Sequence, residues 1–297
     1  MSFVASPSVR SYAGKHGVDL DELARQTGRE LIGREDVDQY LRGGSNASAM
    51  PSASHAQYWD VDHGAYGEVT EEIVSRFGQV SAQNLAAANA MIPQVTHHEV
   101  AEIDEIEAFR AALKPELKAK GAKLTTLAFH LKALSQTLRA FPRFNASLAP
   151  DGKTLYLKQY VHIGVAVDTP HGLMVPVIRN VDQKGLLQVG AEISDLAKRA
   201  QQRKVRPDEM GGASITISNL GGVGGVGFTP IVNPPQVAIL GISRTEVQPK
   251  WDGGNWQPKQ MVPLDLSYDH RVINGADAAR FMVHLANLLQ APRKLLT

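Results

Sequence analysis

The 297-residue sequence is long enough for one large domain plus a small one, and its 43% apolar residues can fill a hydrophobic core. Its 31 basic and 30 acidic residues leave a net charge of +1 without any block of like charge, which gives no electrostatic basis for binding nucleic acid or a membrane surface. The absence of cysteine excludes disulfides, thiolate metal sites and a cysteine nucleophile. Because no apolar run reaches the roughly 20 residues of a spanning helix and no signal-peptide pattern opens the sequence, we expect a cytoplasmic protein.

Residues 6–43 are predicted to form a small all-helical domain. Ser6 followed by proline is a helix start, and Gly17 ends that helix. A second short helical pattern follows, and a third helix begins near Arg34. Small and polar residues then predict a flexible linker over residues 44–62.

The remaining residues, 63–297, are predicted to form a large domain. The predicted helices cover residues 69–77, 80–91, 103–117, 124–140, 186–204 and 274–289. The predicted strands cover residues 92–96, 161–167, 173–178, 215–219, 236–242 and 261–266. Because helices and strands are mixed without strict alternation, the pattern predicts an α/β (α+β) domain, with a mixed sheet and helices packed on one side.

A histidine at a predicted strand-to-helix turn is the strongest candidate for a functional group. His270 follows the last predicted strand and stands four residues before Asn274 and a glycine. Such turns hold side chains rigidly and leave them reachable. A lone histidine after a strand is more often a core residue with backbone partners, so the context decides. Asn274 can position a group or a water, but it cannot stabilise an imidazolium as a carboxylate would.

Ser218 is the second candidate, because it ends a predicted strand and precedes a glycine-rich loop. Its hydroxyl can cap the turn or donate a hydrogen bond to a developing oxyanion, and the residues alone leave both readings open. The loop spells G-x-G-x-x-G over residues 222–227. A dinucleotide site needs a helix directly after that motif, and the proline-rich residues 228–235 cannot start one.

A metal site is not predicted. His97, His98, Glu99 and Asp104 are the only clustered candidates that the pattern offers. Adjacent histidines on a strand point to opposite faces, so one ion cannot readily use both. The spacing also lacks the ligand order of known metal sites.

Taken together, the motifs resemble those of the dihydrolipoyl acyltransferases, the core subunits of 2-oxo acid dehydrogenase complexes. The resemblance runs in order along nearly the whole chain, and it is carried by residues 163–170, 172–178, 216–221, 228–233 and 268–276. Residues 276–280 and the Leu295-Leu296 tail favour the acetyl-transferring members of bacterial pyruvate dehydrogenase complexes over the succinyl-transferring ones. An acyltransferase of another 2-oxo acid dehydrogenase complex remains the alternative.

The resemblance implies a chloramphenicol-acetyltransferase type of fold for residues 63–297. It also implies a homotrimer, with or without assembly into a larger cage, in which active sites lie between chains. His270 of one subunit would act as the base, and Ser218 of its neighbour would stabilise the oxyanion, with Asn274 as the third catalytic residue. The implied substrates are coenzyme A or acetyl-CoA and dihydrolipoamide, the latter carried by a lipoyl domain, with no cofactor bound covalently to this chain.

The positions of three apolar residues in the matching motifs suggest that they line the coenzyme A channel: Phe228, Leu240 and Tyr268. Ordinary core positions are the alternative for all three. Two rival functions also remain. One is a free small-molecule acetyltransferase, and the other is a structural scaffold without turnover.

Residues 6–43 resemble the peripheral subunit-binding domain of the same family. This implies docking of pyruvate dehydrogenase, dihydrolipoamide dehydrogenase or both, and Arg10 is the predicted partner-binding residue. Residues 25–32 depart from the family's glycine- and lysine-containing loop. Family members also carry a lipoyl domain that no stretch here matches, so we expect this sequence to be a piece of a longer chain.

Overall fold

A computed structural model describes residues 4–27, 31–41, 61–119, 123–170 and 172–296. The chain divides into two compact units, Met1–Glu72 and Ile73–Thr297. Nearly all of the predicted linker, residues 44–62, and part of the departing loop, residues 25–32, lie outside the described residues. Within the described ranges, no helix combines the length and the apolar character needed to cross a bilayer.

The small unit contains the three predicted helices, which are α1 (Pro7–Lys15), α2 (Leu20–Thr27) and α3 (Arg34–Leu41). The Ser6 hydroxyl accepts a hydrogen bond from the backbone N–H of Val9 at 3.4 Å, so serine caps α1 and proline follows it. The centre of the core is formed by Val9, Ala13, Leu23, Ile32 and Val37. A short parallel strand pair, which helical spacing does not predict, adds β1 (Val4–Ala5) and β2 (Leu31–Ile32). The next described element along the chain is a 3-10 helix at His63–Tyr66.

The large unit is built from longer elements. Its helices are α4 (Arg76–Met91), α5 (Asp104–Ala119), α6 (Thr126–Ala140), α7 (Leu186–Gln201) and α8 (Gly275–Leu289). Its strands are β3 (Gln94–Glu102), β4 (Ala146–Leu148), β5 (Leu155–Leu157), β6 (Ile163–Val165), β7 (Val167–Thr169), β8 (Gly172–Met174), β9 (Val177–Ile178), β10 (Ile215–Asn219), β11 (Ala238–Ile242), β12 (Glu246–Trp251) and β13 (Trp256–Asp269). Short 3-10 helices lie at Pro142–Phe144, Val181–Gln183, Pro207–Glu209 and Pro292–Leu296.

The main sheet has seven strands in the order β12-β13-β11-β10-β6-β9, with β3 also paired to β13. Strand β10 runs parallel to β11 and β6, and the other pairs are antiparallel. Ile217, Leu240 and Leu266 lie side by side in register, and all three belong to one core with Phe129 of α6 and Phe281 of α8. The predicted mixed sheet with helices packed on one face is therefore confirmed.

The first predicted helix of the large domain, residues 69–77, is wrong. Residues 67–75 have no helix or strand, and α4 begins only at Arg76, where the Ser75 hydroxyl accepts from the N–H of Gly78 at 3.1 Å. Ile73 is 93% exposed, so the helical spacing of its apolar residues does not reflect burial against a core.

Two predicted strands are each divided in the structure. The stretch 161–167 is shared between β6 and β7, and the stretch 173–178 is shared between β8 and β9. Strands β6 and β9 belong to the main sheet, whereas β7 and β8 pair as a separate hairpin. Gly172 opens β8 opposite Thr169 at the closed end of this hairpin, and its φ of +114° is a conformation that favours glycine.

Candidate functional site

His270 lies in the turn between β13 and α8, where the sequence predicts it. Its backbone N–H donates to the carbonyl of Pro93 at 3.1 Å, which ties the turn to the residue just before β3. The residue is exposed, and its ring centroid lies 5.7 Å from that of Tyr268. The imidazole is thus reachable from solvent, while its backbone is fixed.

The residues on either side of His270 form an ion pair with each other. The Asp269 carboxylate is 2% exposed and accepts from Arg271 Nε at 2.9 Å and from Nη2 at 2.6 Å. This carboxylate also raises the pKa of the Arg271 guanidinium. The backbone N–H groups of Val272 and Ile273 donate to the Asp269 carbonyl, each at 3.0 Å. The two opposite charges therefore stabilise the turn, and they pair with each other rather than with the imidazole.

Asn274 is the N-cap of α8, with an extended backbone at φ −92° and ψ 162°. Its Oδ1 accepts from the backbone N–H of Asp277 at 2.8 Å, as expected for an N-capping asparagine. Its Nδ2 has no hydrogen-bond partner among the described residues. One half of the amide thus holds the helix start, and the other half can bind a further group.

Ser218 is the fourth of the five residues of β10, and it is half-buried. Its hydroxyl has no hydrogen-bond partner within the part of the chain that the structure describes. The turn after the strand is instead capped by Asn219, whose Oδ1 accepts from the N–H of Gly221 at 2.9 Å. The turn-capping reading of Ser218 is therefore wrong, and its hydroxyl remains able to donate to a ligand.

The predicted channel residues differ in burial. Leu240 is fully buried in the main core, so it cannot line a channel, and that prediction is wrong. Tyr268 is only 2% exposed, belongs to the same core, and has its pKa raised by burial. Leu240 and Tyr268 are therefore core residues, because both lie on the buried face of the sheet. Phe228 is half-buried and is the one member of the predicted set that a ligand can still reach.

The glycine-rich stretch is a loop without a helix. Residues 220–237, which connect β10 to β11, contain neither helix nor strand. As the proline-rich residues 228–235 predict, no helix N-terminus follows the glycines. The loop instead returns Phe228 to the sheet, where its ring contacts Gly241 of β11.

Asp265 is a functional candidate that the sequence pattern did not reveal. It lies inside the run predicted as an apolar strand, and its side chain is 2% exposed. Its carboxylate accepts from the backbone N–H of Phe228 at 3.1 Å, from His98 Nδ1 at 2.6 Å and from Ser243 Oγ at 3.5 Å. An acidic residue within an apolar strand was the available signal, because a buried carboxylate needs such partners.

The two adjacent histidines of β3 face opposite sides of the sheet. His97 pairs in register with Leu266 on the core face, and His98 pairs with Asp265 on the other face. Among the described residues, no three histidine, aspartate or glutamate side chains are grouped so that they could hold a metal ion.

Within a single chain, His270 and Ser218 lie at different positions along the strand direction of the main sheet. Register places Ser218 beside Gly241, and Gly241 beside Asp265, in one row across three strands. His270 follows Asp265 by five residues. Four of these five steps lie within β13, and at roughly 3.3 Å per residue they carry the strand roughly 13 Å beyond the level of Ser218 before the turn that holds His270. They cannot act on the same atom within one chain.

This chain is similar to known proteins over most of its length. The family model that describes the catalytic domain of 2-oxoacid dehydrogenase acyltransferases matches residues 66–297. The acetyltransferase component of the pyruvate dehydrogenase complex of Pseudomonas aeruginosa is 48% identical, with 98% of this chain and 54% of the relative covered. The corresponding component of Azotobacter vinelandii is 49% identical, with 98% and 47% covered. This chain therefore spans about half the length of these relatives.

Solved structures agree with the sequence comparison. A structure of Azotobacter vinelandii dihydrolipoamide acetyltransferase is 54% identical, with a TM-score of 0.78 over 80% of this chain and 98% of that one. The cubic core of a pyruvate dehydrogenase multienzyme complex gives the same identity, TM-score and coverage. A probable dihydrolipoamide acetyltransferase from Listeria monocytogenes is 28% identical, with a TM-score of 0.72 over 75% of this chain and 94% of that one.

Proposed function

We propose that this chain, which belongs to the 2-oxoacid dehydrogenase acyltransferase family, transfers an acetyl group between the thiols of dihydrolipoamide and coenzyme A. The acetyl specificity follows its relatives, which are named as acetyltransferase components of pyruvate dehydrogenase complexes. Both thiols are substrates, and the chemistry of the transfer falls to side chains of this chain.

The observation that carries the proposal is the spacing of three residues. The Azotobacter vinelandii structure was investigated for the catalytic roles of a serine, a histidine 52 residues after it and an asparagine four residues after the histidine. Ser218, His270 and Asn274 have these same two separations. In a chain 54% identical to that enzyme, the same residue types at the same separations support the same roles.

The separation of His270 from Ser218 within one chain supports a site formed between two subunits. The Ser218 hydroxyl, which has no partner among the described residues, and the exposed imidazole would then face one another across an interface. We propose a homotrimer as the assembly that provides such sites, because the family resemblance implies one. The relation to a cubic core extends this to a larger cage built from trimers.

In the proposed mechanism, neutral His270 removes the proton from the attacking thiol. A thiol with a pKa near 8.5 is mostly protonated at neutral pH, so a base is needed. The thiolate attacks the thioester carbonyl, and the Ser218 hydroxyl donates to the oxygen that becomes negatively charged. Collapse of the tetrahedral intermediate breaks the bond to the leaving sulfur, which takes the proton back from His270. Asn274 positions the groups around the imidazole through Nδ2, the end of its amide that does not cap α8.

Transfer assays with acetyl-CoA and dihydrolipoamide test these roles. Replacing the base, His270→Ala, should lower kcat about 10²- to 10⁴-fold. Replacing the oxyanion donor, Ser218→Ala, should lower kcat about 10²- to 10³-fold. Near-normal transfer by His270→Ala would eliminate the base role, and a change in KM alone for Ser218→Ala would eliminate the oxyanion role. An inactive native chain, or one that acetylates only alcohols, would overturn the proposal itself.

The assembly is tested separately. Size-exclusion chromatography with light scattering distinguishes a monomer, a trimer and a cage by mass. Mixing His270→Ala chains with Ser218→Ala chains provides a sharper test, because mixed trimers contain some interfaces with both residues intact. Activity regained on mixing is the expected result, and a mixture as inactive as its two components would contradict a shared site.

We also propose that residues 6–43 bind pyruvate dehydrogenase, dihydrolipoamide dehydrogenase or both, and that a lipoyl domain delivers the acetyl group. Arg10 is exposed on α1, and its Nε donates to the carbonyl of Ala5 at 3.2 Å, which orients the guanidinium at the surface of the small unit. Arg10→Ala should weaken partner binding measured by calorimetry while leaving acetyl transfer to free dihydrolipoamide unchanged. Equal binding by both proteins would remove Arg10 from the docking surface.

A further inference from the structure

A row of side chains crosses four strands next to the proposed oxyanion donor. Register pairs Ser218 of β10 with Gly241 of β11, Gly241 with Asp265 of β13, and Asp265 with His98 of β3. Residues paired in register point to the same face of a sheet. The row therefore lies on the face opposite Ile217, Leu240 and Leu266, away from the main core.

Gly241 leaves a gap in this row, and the ring of Phe228 fills it. A Cβ atom at Gly241 would lie 2.8 Å from Cζ and 2.9 Å from Cε1 of Phe228, which is closer than van der Waals contact allows. The same atom would lie 3.2 Å from Cβ of Asp265. The absence of a side chain at Gly241 thus lets the Phe228 ring sit between Ser218 and Asp265 on the sheet face.

Asp265 holds the backbone of Phe228 in that place. Its Oδ2 accepts from the Phe228 N–H at 3.1 Å and from Ser243 Oγ at 3.5 Å. Its Oδ1 accepts from His98 Nδ1 at 2.6 Å. The side chain of Asp265 is 2% exposed and that of His98 is 61% exposed, so the histidine closes the row from the surface side. A buried carboxylate with three donors is a rigid anchor.

We infer that Asp265 is a positioning residue for acetyl transfer: it fixes Phe228 against Gly241 and thereby sets the surroundings of the Ser218 hydroxyl. This inference rests on the proposed function, because it acts through the oxyanion role of Ser218. Asp265 does not contact the reacting atoms. A ring held beside the serine limits the directions that its hydroxyl can take and keeps water from it, which favours donation to the substrate.

A double-mutant cycle tests the inference. Asp265→Ala removes the acceptor of the Phe228 N–H, and it should lower kcat about tenfold. In the Ser218→Ala background, the same change should lower kcat less than about twofold, because the group that Asp265 serves is already absent. An equal loss in both backgrounds, or a loss in KM alone, would overturn the inference.

The conservative variant separates positioning from charge. In Asp265→Asn, the amide oxygen can still accept from the Phe228 N–H, and its NH₂ can donate to His98 Nδ1 in the tautomer that leaves this nitrogen without a proton. We expect this variant to retain kcat within about twofold of the native chain. A loss as large as that of Asp265→Ala would show that the carboxylate is needed for another reason and would contradict the positioning role.

A second variant reaches the same ring without touching the carboxylate, in case Asp265→Ala does not fold. Gly241→Ala places a methyl group against the Phe228 ring, so kcat should fall several-fold, again only when Ser218 is present. The matched control is Gly211→Ala, because a Cβ atom there meets nothing within 4 Å. Thermal unfolding of each variant verifies folding, and unchanged kcat in folded Gly241→Ala would count against the inference.

The outcomes distinguish a failure of this inference from a failure of the proposed function. If Ser218→Ala itself leaves kcat unchanged, the oxyanion role fails and the proposed function must be revised. If Ser218→Ala lowers kcat as expected but the Asp265→Ala loss is the same with and without the serine, only the positioning role of Asp265 fails.

Discussion

The double role of Asn274 makes it the most informative position for a substitution series. Asn274→Ala removes the N-cap of α8, which should reduce the free energy of unfolding by about 1 kcal/mol. For a unit the size of Ile73–Thr297, this corresponds to a fall in Tm of about 2–4 °C. Asn274→Ser and Asn274→Asp retain a capping oxygen, so both should keep the Tm within about 1–2 °C of the native value.

The Asn274 variants should rank differently in acetyl transfer than in stability. Asp retains the length of the side chain, but its second oxygen accepts a hydrogen bond where Nδ2 donates one. A water positioned there can reorient to donate to that oxygen, so we expect Asn274→Asp to transfer acetyl groups within about threefold of the native rate. Ser caps the helix but is too short to reach the surroundings of His270, so kcat should fall about tenfold or more without a loss of Tm.

Differential scanning calorimetry and steady-state transfer assays on the same preparations provide both values. If Asn274→Ser matched the native chain in kcat, the asparagine would affect activity only through the helix start. A fall for Asn274→Asp as large as that of His270→Ala would refute the positioning role altogether.

Three further predictions test the buried parts of the large unit. Leu240→Ala should cost about 2–5 kcal/mol in denaturant unfolding, because the residue is fully buried, while the KM for coenzyme A stays unchanged; a raised KM would return the residue to the channel. Gly172→Ala should destabilise, since φ is +114° and the new Cβ would lie 2.5 Å from the Phe77 ring, and an unchanged Tm would contradict this. Burial lowers the pKa of Lys158 to about 8, so the folded chain loses this proton at lower pH than the unfolded chain. Lys158→Met should therefore raise stability at pH 7, and unfolding curves should show the gain shrinking as the pH rises from 8 toward 10.5; a gain independent of pH would refute the assignment.

Local signals explain why most elements were predictable from the sequence. Helix α8 follows an N-capping asparagine, and α6 repeats leucines at helical spacing, so their bounds differ from the prediction by two residues at most. The same kind of signal failed over residues 69–77, where apolar spacing occurs on an exposed stretch. Periodicity reports burial only when another surface covers the apolar residues, and the sequence does not say where such a surface lies.

The catalytic candidates divide in the same way. His270, Asn274 and Ser218 were identified from the ends of predicted elements, since a turn and a strand end are visible in a short stretch of sequence. The burial of Leu240 was not identified from the sequence, because its place on the core face depends on the register of β11 with its neighbours.

By itself, the sequence determined the order of the long helices α4 to α8, the family and the three residues proposed for catalysis. Only the tertiary structure decided that Ser218, Gly241, Asp265 and His98 form one row with the Phe228 ring seated in it. The physical reason is that this row depends on strand register between residues up to 167 positions apart in the chain. Register is set by how the strands pack together, and no local pattern contains it.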